Sequence, residues 1–223
     1  MELPREEEPL VVTSDMLAEA QPDEREDFER GMSYWSPATI GLLLTLVVIF
    51  GWQLASGAFD SQNALIDAGA LVRSRVIEGE TWRLFSATVL HGSGDHLFGN
   101  CVALYILGIA CEHALGAWRL LVLYLGSGLA GSLASVLTGP GPSVGASGAI
   151  CGLMGGVLAV LFRYRHVYHV RNKEIAWVLG GWAAYTIVIG TLDPRIDNWA
   201  HLGGLLGGAV IALGLRPRVV LAT

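Results

Sequence analysis

Charge is what this chain has least of beyond its first thirty residues. Asp, Glu, Lys and Arg make up only 15% of its 223 residues, against roughly 25% in a typical soluble protein. Hydrophobic residues reach 52%, so an ordinary soluble domain is excluded on composition. Cysteine is also scarce. Cys101, Cys111 and Cys151 are odd in number, contain no CxxC pair and all lie in apolar stretches. Neither a disulfide framework nor a zinc knuckle fits them, and they read as small packing residues. There is no HExxH, and no carboxylate is spaced to join His91, His96 or His201 around zinc, so no metal is expected. No secretory leader is expected either, since Glu6, Glu7 and Glu8 stand where the basic n-region would be.

Glycine, by contrast, is abundant at 29 residues. Apolar bulk with many glycines suits helices packed closely in lipid, where small residues let backbones approach. The net charge of −6 belongs to one end. Residues 1–30 hold eleven acids and three arginines, and the remaining chain holds nine acids and eleven bases. A segment so acidic and poor in aromatics cannot bury enough apolar surface to fold alone. Residues 1–36 are therefore expected to be a solvated, disordered leader.

Hydrocarbon about 30 Å thick needs roughly 20 apolar residues per helix. The stretch ATIGLLLTLVVIFGWQLA supplies span 1, and His96 to Gly116 supplies span 2. From Leu120 to Phe162 no residue is charged. As one helix that run would be about 65 Å long, twice the bilayer, so it must break. Thr138-Gly-Pro-Gly-Pro142 is the break, giving spans 3 (119–137) and 4 (147–163). Ile175 to Leu192 and Asn198 to Leu215 complete six. The expected fold is all-α, a six-helix membrane bundle over 37–216 with a short tail at 217–223. A long first loop, 56–95, is mixed enough to rest in the interface. Cytoplasmic termini place ten Lys/Arg inside, with RYRHVYHVRNK the strongest marker, against Arg73, Arg75, Arg83 and Arg195 outside. That excess fixes the orientation. His113, His166 and His169 then fall on the cytoplasmic side and are expected to be solvated.

Polar residues inside spans are costly, so each is a candidate functional residue. Gly145-Ala-Ser147-Gly148 follows the Pro-Gly break. Glycines there let the chain turn and leave the hydroxyl open, and the first helical turn offers unpaired N–H groups to an oxyanion. Ser147 as a plain N-cap or packing residue stays open at this point. His91-Gly-Ser-Gly-Asp-His96-Leu-Phe-Gly-Asn100 gives Asp95 as N-cap of span 2. It also sets His96 and Asn100 on one helical face, either as donors or as a mutually satisfied pair. In Asn198-Trp-Ala-His201-Leu-Gly-Gly204-Leu-Leu-Gly-Gly208, Gly204 and Gly208 make a bare stripe below the histidine. Gly148, Gly152, Gly155 and Gly156 offer one on span 4. Packing the two stripes brings His201 to Ser147, where it can take the hydroxyl proton as general base.

These three segments resemble the signatures of rhomboid intramembrane serine proteases, in that family's order and on its spans 2, 4 and 6. Trp82-Arg83 and Gly108xxxGlu112xxxGly116 are similar to two further elements of the family. The resemblance covers 37–215. It implies Ser147 as nucleophile, His201 as base and then acid, and an oxyanion hole from the Ser147 N–H, His96 and Asn100. It further implies structural support by His91, Trp82, Arg83, Glu112 and the glycines 145, 148, 204 and 208. Substrates would be transmembrane segments of other membrane proteins, met within the lipid bilayer near its outer face. No cofactor and no nucleic acid is implied. One departure stands out: Cys151, one turn below Ser147, replaces an aromatic that often stacks on the histidine in this family. Asp197, one turn before His201, reads as a solvated loop charge, so a dyad is expected. The compact six-span plan favours a bacterial inner membrane.

Rival chemistries fare worse. Gly92-Ser-Gly-Asp95 matches a GxGD, but no second aspartate lies in any span, as an intramembrane aspartyl protease requires. A transporter would show an internal repeat or paired broken helices. A rhomboid-like pseudoprotease that binds membrane-protein clients without cutting is the alternative, distinguished by losing nucleophile or base. Both are present here.

Overall fold

The computed structural model describes residues 25–138, 141–169, 181–182, 184, 186, 188, 190–193 and 196–218. Long helices form at α1 (Pro37–Ala55), α5 (Gly94–Leu115), α6 (Ala117–Thr138), α7 (Ser147–Arg163) and α8 (Asn198–Gly214). Three short helices, α2 (Gln62–Asp67), α3 (Arg73–Ile77) and α4 (Arg83–Ser86), lie between α1 and α5. Among the described residues the strand pairing is one two-residue parallel contact, β1 (Glu26–Asp27) with β2 (Tyr168–His169). Much of expected span 5, Ile175 to Leu192, lies outside the described residues; those described within it are helical.

By length and composition α1, α5 and α6 can each cross a membrane. Their outward faces are apolar, with Val48 69% and Phe98 72% exposed. A soluble helix would put polar residues there. The buried cluster runs through α5, α6 and α7, around Leu104, Leu107, Leu120, Leu123 and Leu153. Cys111 and Cys151 belong to it, and the Cys111 thiol donates to the Leu153 carbonyl at 3.3 Å.

α7 and α8 run parallel in close contact. A side chain at Gly148 would meet the Ala200 carbonyl, one at Gly152 the Gly204 carbonyl, and one at Gly155 the Leu205 carbonyl. α6 runs antiparallel to both, with Leu123 against Gly156, Ser127 against Gly152 and Gly131 against Ala200. Gly156 thus faces α6, not α8 as the stripe argument expected. A second bare row on α8, Gly203 and Gly207, meets Ala134 and Ala130 of α6.

One helix start differs from expectation. α5 begins at Gly94, because Ser93 is the cap: its hydroxyl accepts from the His96 N–H at 3.2 Å. Asp95 sits inside the first turn, where a carboxylate is favoured by the positive end of the helix dipole. α7 starts at Ser147, as the expected span did, and Ala146 rather than Ser147 is the capping position.

The foot of the bundle gathers both described ends of the chain. Phe28 is buried edge-on against His113 and Tyr168, at ring separations of 5.6 and 6.4 Å. His113 Nε2 donates to the Phe28 carbonyl at 2.8 Å. His113, expected to be solvated, is therefore covered by the leader where it packs on α5. The leader is described only from Arg25, and there it is docked. Arg218 N–H donates to the Ala114 carbonyl at 2.7 Å, placing the C-terminal end beside the same turn of α5. Glu112, in that turn, accepts from the backbone N–H groups of Ala38 and Thr39 and from the Thr39 hydroxyl. It satisfies N–H groups that the start of α1 cannot pair internally.

Candidate active site

The opposite end of the bundle gathers the N-termini of α5, α7 and α8. Their dipoles and unpaired N–H groups make that end favourable for negative charge. His201 Nε2 lies 2.8 Å from Ser147 Oγ. Both residues sit in the first turns of their helices, Ser147 as the first residue of α7 and His201 as the fourth of α8. His201 is buried, and its Nδ1 has no partner among the described residues.

The closeness of the two helices has a specific cause. A Cβ on Gly204 would collide with the Gly148 carbonyl, and one on Gly208 with the Gly152 carbonyl. Only bare α-carbons permit this separation, so the four glycines fix the distance that the hydrogen bond needs.

Gly145 places the third group. Its φ of +140° is a conformation suited to glycine, and its N–H donates to the Ala87 carbonyl at 2.8 Å. A Cβ there would stand 2.9 Å from His96 Nε2 and 3.6 Å from Ser147 Oγ. The His96 ring and the serine hydroxyl therefore border the same small space. Asn100 lies one turn below His96 on the same helix face. It is buried, and its Nδ2 has no partner among the described residues. An unpaired buried amide is costly, and such a donor is what a transient oxyanion would use. Ser147, at the head of α7, has a backbone N–H with no intrahelical acceptor.

The supporting residues divide by what they hold. His91 is fully buried at the start of the turn before α5 and meets the His96 ring edge-on at 5.2 Å. Neither ring nitrogen has a partner among the described residues. Burial, and then the neighbouring His96, hold its pKa down to about 4. Its backbone is clamped by Gln53, whose side chain donates to the His91 carbonyl and accepts from the His91 N–H, each at 3.0 Å. Sequence reasoning missed Gln53; a buried amide inside an otherwise apolar span was the available signal.

Arg83 is buried and knits the first loop together. It donates to the carbonyls of Ile66 and Ala70 and pairs with Glu80 at 2.6 Å. The Arg83 hydrogen bond holds the Glu80 carboxyl below its ordinary range. Trp82 is half-exposed, with the guanidinium 4.6 Å from its ring centroid. The loop reaches the site through a two-way backbone bridge, Leu71 with Ser143, at 2.9 and 3.0 Å. Asp197 departs from the reading as a solvated charge. It caps α8, its Oδ1 accepting from the Ala200 N–H at 3.0 Å, and its Oδ2 accepts from the Ser135 hydroxyl.

A family profile described as the rhomboid domain matches residues 78–218. Over 178 residues the chain is 36% identical to "Rhomboid protease GluP" of Bacillus subtilis, covering 78% of this chain and 34% of that one. It is 41% identical to "RHOMBOID-like protein 5" of Arabidopsis thaliana over 159 residues, 67% of this chain and 50% of that one. With "Rhomboid protease AarA" of Providencia stuartii it shares 31% over 204 residues, 78% of this chain and 71% of that one. The first two relatives are thus matched over half of their length or less. The chain belongs to the rhomboid family and is an integral membrane protein.

Proposed function

We propose that this chain is an intramembrane serine endopeptidase that cuts transmembrane segments of other membrane proteins near the outer face of the bilayer. The contact between His201 Nε2 and Ser147 Oγ at 2.8 Å carries the reading. A serine hydroxyl is a weak nucleophile until an adjacent base takes its proton. In this reading Ser147 Oγ attacks the scissile carbonyl carbon while its proton passes to His201 Nε2. The carbonyl oxygen becomes an oxyanion, held by the Ser147 N–H, the His96 ring N–H and Asn100 Nδ2. On collapse the C–N bond breaks and His201 gives its proton to the leaving amine. Water, deprotonated by the same imidazole, then releases the acyl group and restores the serine hydroxyl. The preorganised donors supply the larger part of the rate, since they meet the charge without reorganising.

The proposed architecture is six spans, with the helical residues near 181–192 belonging to the fifth. The bundle occupies 37–216, with the leader (1–36) and tail (217–223) both cytoplasmic and the first loop in the outer interface. Ile77 and Phe85 on that loop, 72% and 50% exposed, support its contact with lipid. The excess of Lys and Arg at the other end supports the orientation, in a bacterial inner membrane. Reaction with a fluorophosphonate in detergent tests the chemistry. Wild type should be labelled and Ser147→Ala and His201→Ala should not. Labelling of the Ser147→Ala protein at the wild-type rate would overturn the assignment.

A further inference from the structure

We propose that Ser135 of α6 and Asp197 at the head of α8 form a positioning pair that sets the register of His201 against Ser147. The inference rests on the reading of Ser147 and His201 as nucleophile and base, and it names what holds the base in place.

Both oxygens of the Asp197 carboxylate are committed, in different directions. Oδ1 accepts from the Ala200 N–H at 3.0 Å, closing the first turn of α8. Oδ2 accepts from the hydroxyl of Ser135, a buried residue near the end of α6. The Asp197 carbonyl also accepts from the His201 N–H at 3.2 Å. One residue therefore touches the backbone of both Ala200 and His201 while tied to a neighbouring helix. An ordinary cap makes the contacts to Ala200 and His201; the bond to Ser135 is what this one adds.

The tie matters because glycine contacts leave a helix free to slide. Along the α7–α8 seam the touching surfaces are bare backbone, at Gly148, Gly152, Gly204 and Gly208. At those four positions no side chain interlocks to resist displacement along the axis. A slip of one residue would move His201 by about 1.5 Å and rotate it by about 100°. Either change breaks a hydrogen bond of 2.8 Å. The Ser135–Asp197 contact opposes that slip from the third helix. On the same side, Gly131 of α6 lies directly against the Ala200 carbonyl. Thus α6 grips the first turn of α8 at two points, one steric and one polar.

Ser135→Ala separates this role from capping, since it leaves the Asp197–Ala200 bond intact. The full chain in detergent, with a fluorophosphonate as probe, gives the rate of labelling per folded molecule. A transmembrane substrate gives kcat and KM separately. Ser135→Ala should lower the labelling rate and kcat about ten-fold or more, as small misplacements of a catalytic group do, with KM unchanged. Ser135→Thr, which keeps the hydroxyl, should recover most of the loss. Asp197→Ala should lose at least as much as Ser135→Ala. Adding Ser135→Ala to Asp197→Ala should cost nothing further, because two members of one contact are coupled. Wild-type labelling of folded Ser135→Ala, or full additivity in the double variant, overturns the positioning pair. Failure of wild type to react, or undiminished reaction of Ser147→Ala, instead overturns the underlying protease reading.

Discussion

His201 Nε2 reaches Ser147 Oγ at 2.8 Å although 54 residues of chain separate them. Glycine closes the distance: Gly148, next to Ser147, meets Gly204, one turn below His201, backbone to backbone, and Gly152 and Gly208 repeat the contact a turn further down.

Substituting Gly204 by Leu should therefore push α8 away from α7. The fluorophosphonate labelling rate should fall by about 100-fold or more, since reacting groups displaced by an ångström lose that much. The melting temperature should drop as well. Gly214→Ala is the contrast, because nothing lies within 4 Å of a Cβ there. It should leave the rate unchanged. A fully active Gly204→Leu protein would contradict the seam.

Asn100→Ala should lower kcat by roughly 10- to 1000-fold, the usual effect of deleting one preorganised oxyanion donor. Its melting temperature should stay close to wild type, because Nδ2 makes no hydrogen bond to the described residues. Kinetics on a transmembrane substrate, with calorimetry alongside, checks both halves. Unchanged turnover would remove Asn100 from the site.

His91 should make the protein acid-labile. Its folded pKa of about 4 lies below the unfolded value near 6.5, so the unfolded chain binds the proton more readily. The stability from keeping this imidazole neutral is full above about pH 6.5 and is lost as pH falls toward 4. The maximal loss is on the order of 3 kcal/mol. His91→Leu should remain folded at pH 7.5 and lose less stability than wild type between pH 6.5 and 4. Parallel thermal melts across that window would show it; identical pH dependence of the two proteins would count against it.

Arg83→Lys should be far from conservative. The guanidinium reaches two carbonyls and a carboxylate at once, and an ammonium has neither that fork nor that reach. Stranding one buried carbonyl costs about 1–3 kcal/mol, so a clear fall in melting temperature is expected. Labelling should fall with it, since the loop holds the approach to Ser147 through the Leu71–Ser143 bridge. An unaltered melt would show that the loop is held elsewhere.

The sequence made much of this legible because hydropathy and glycine spacing act locally. The boundaries of α7 agree with the expected span to the residue, since a Pro-Gly break and an arginine mark its two ends. The juxtaposition of Ser147 and His201 followed from two stripes of missing side chains, which need no knowledge of loops. Other features depended on partners distant in the chain. Asp197 looked like a loop charge because its second partner, Ser135, lies 62 residues away. Gly156 shares the stripe's spacing but turns toward α6, since a helix with glycine on two faces can serve two neighbours. Ser93 outcompeted Asp95 as cap by a two-residue shift, within the normal slack of helix ends.

The length of α7 has a consequence for the chain that leads into it. Seventeen residues rise about 25 Å, several ångströms less than the hydrocarbon thickness. Under the proposed span assignment, Arg163 at the polar surface below would leave Ser147 sunk beneath the opposite surface, with the irregular backbone of 143–146 beside it. Unpaired peptide groups are not tolerated at that depth unless protein supplies their partners. Here it does: Ser143 exchanges bonds with Leu71, and Gly145 donates to Ala87. The first loop thus supplies the hydrogen-bond partners that this stretch of non-helical chain would need at that depth.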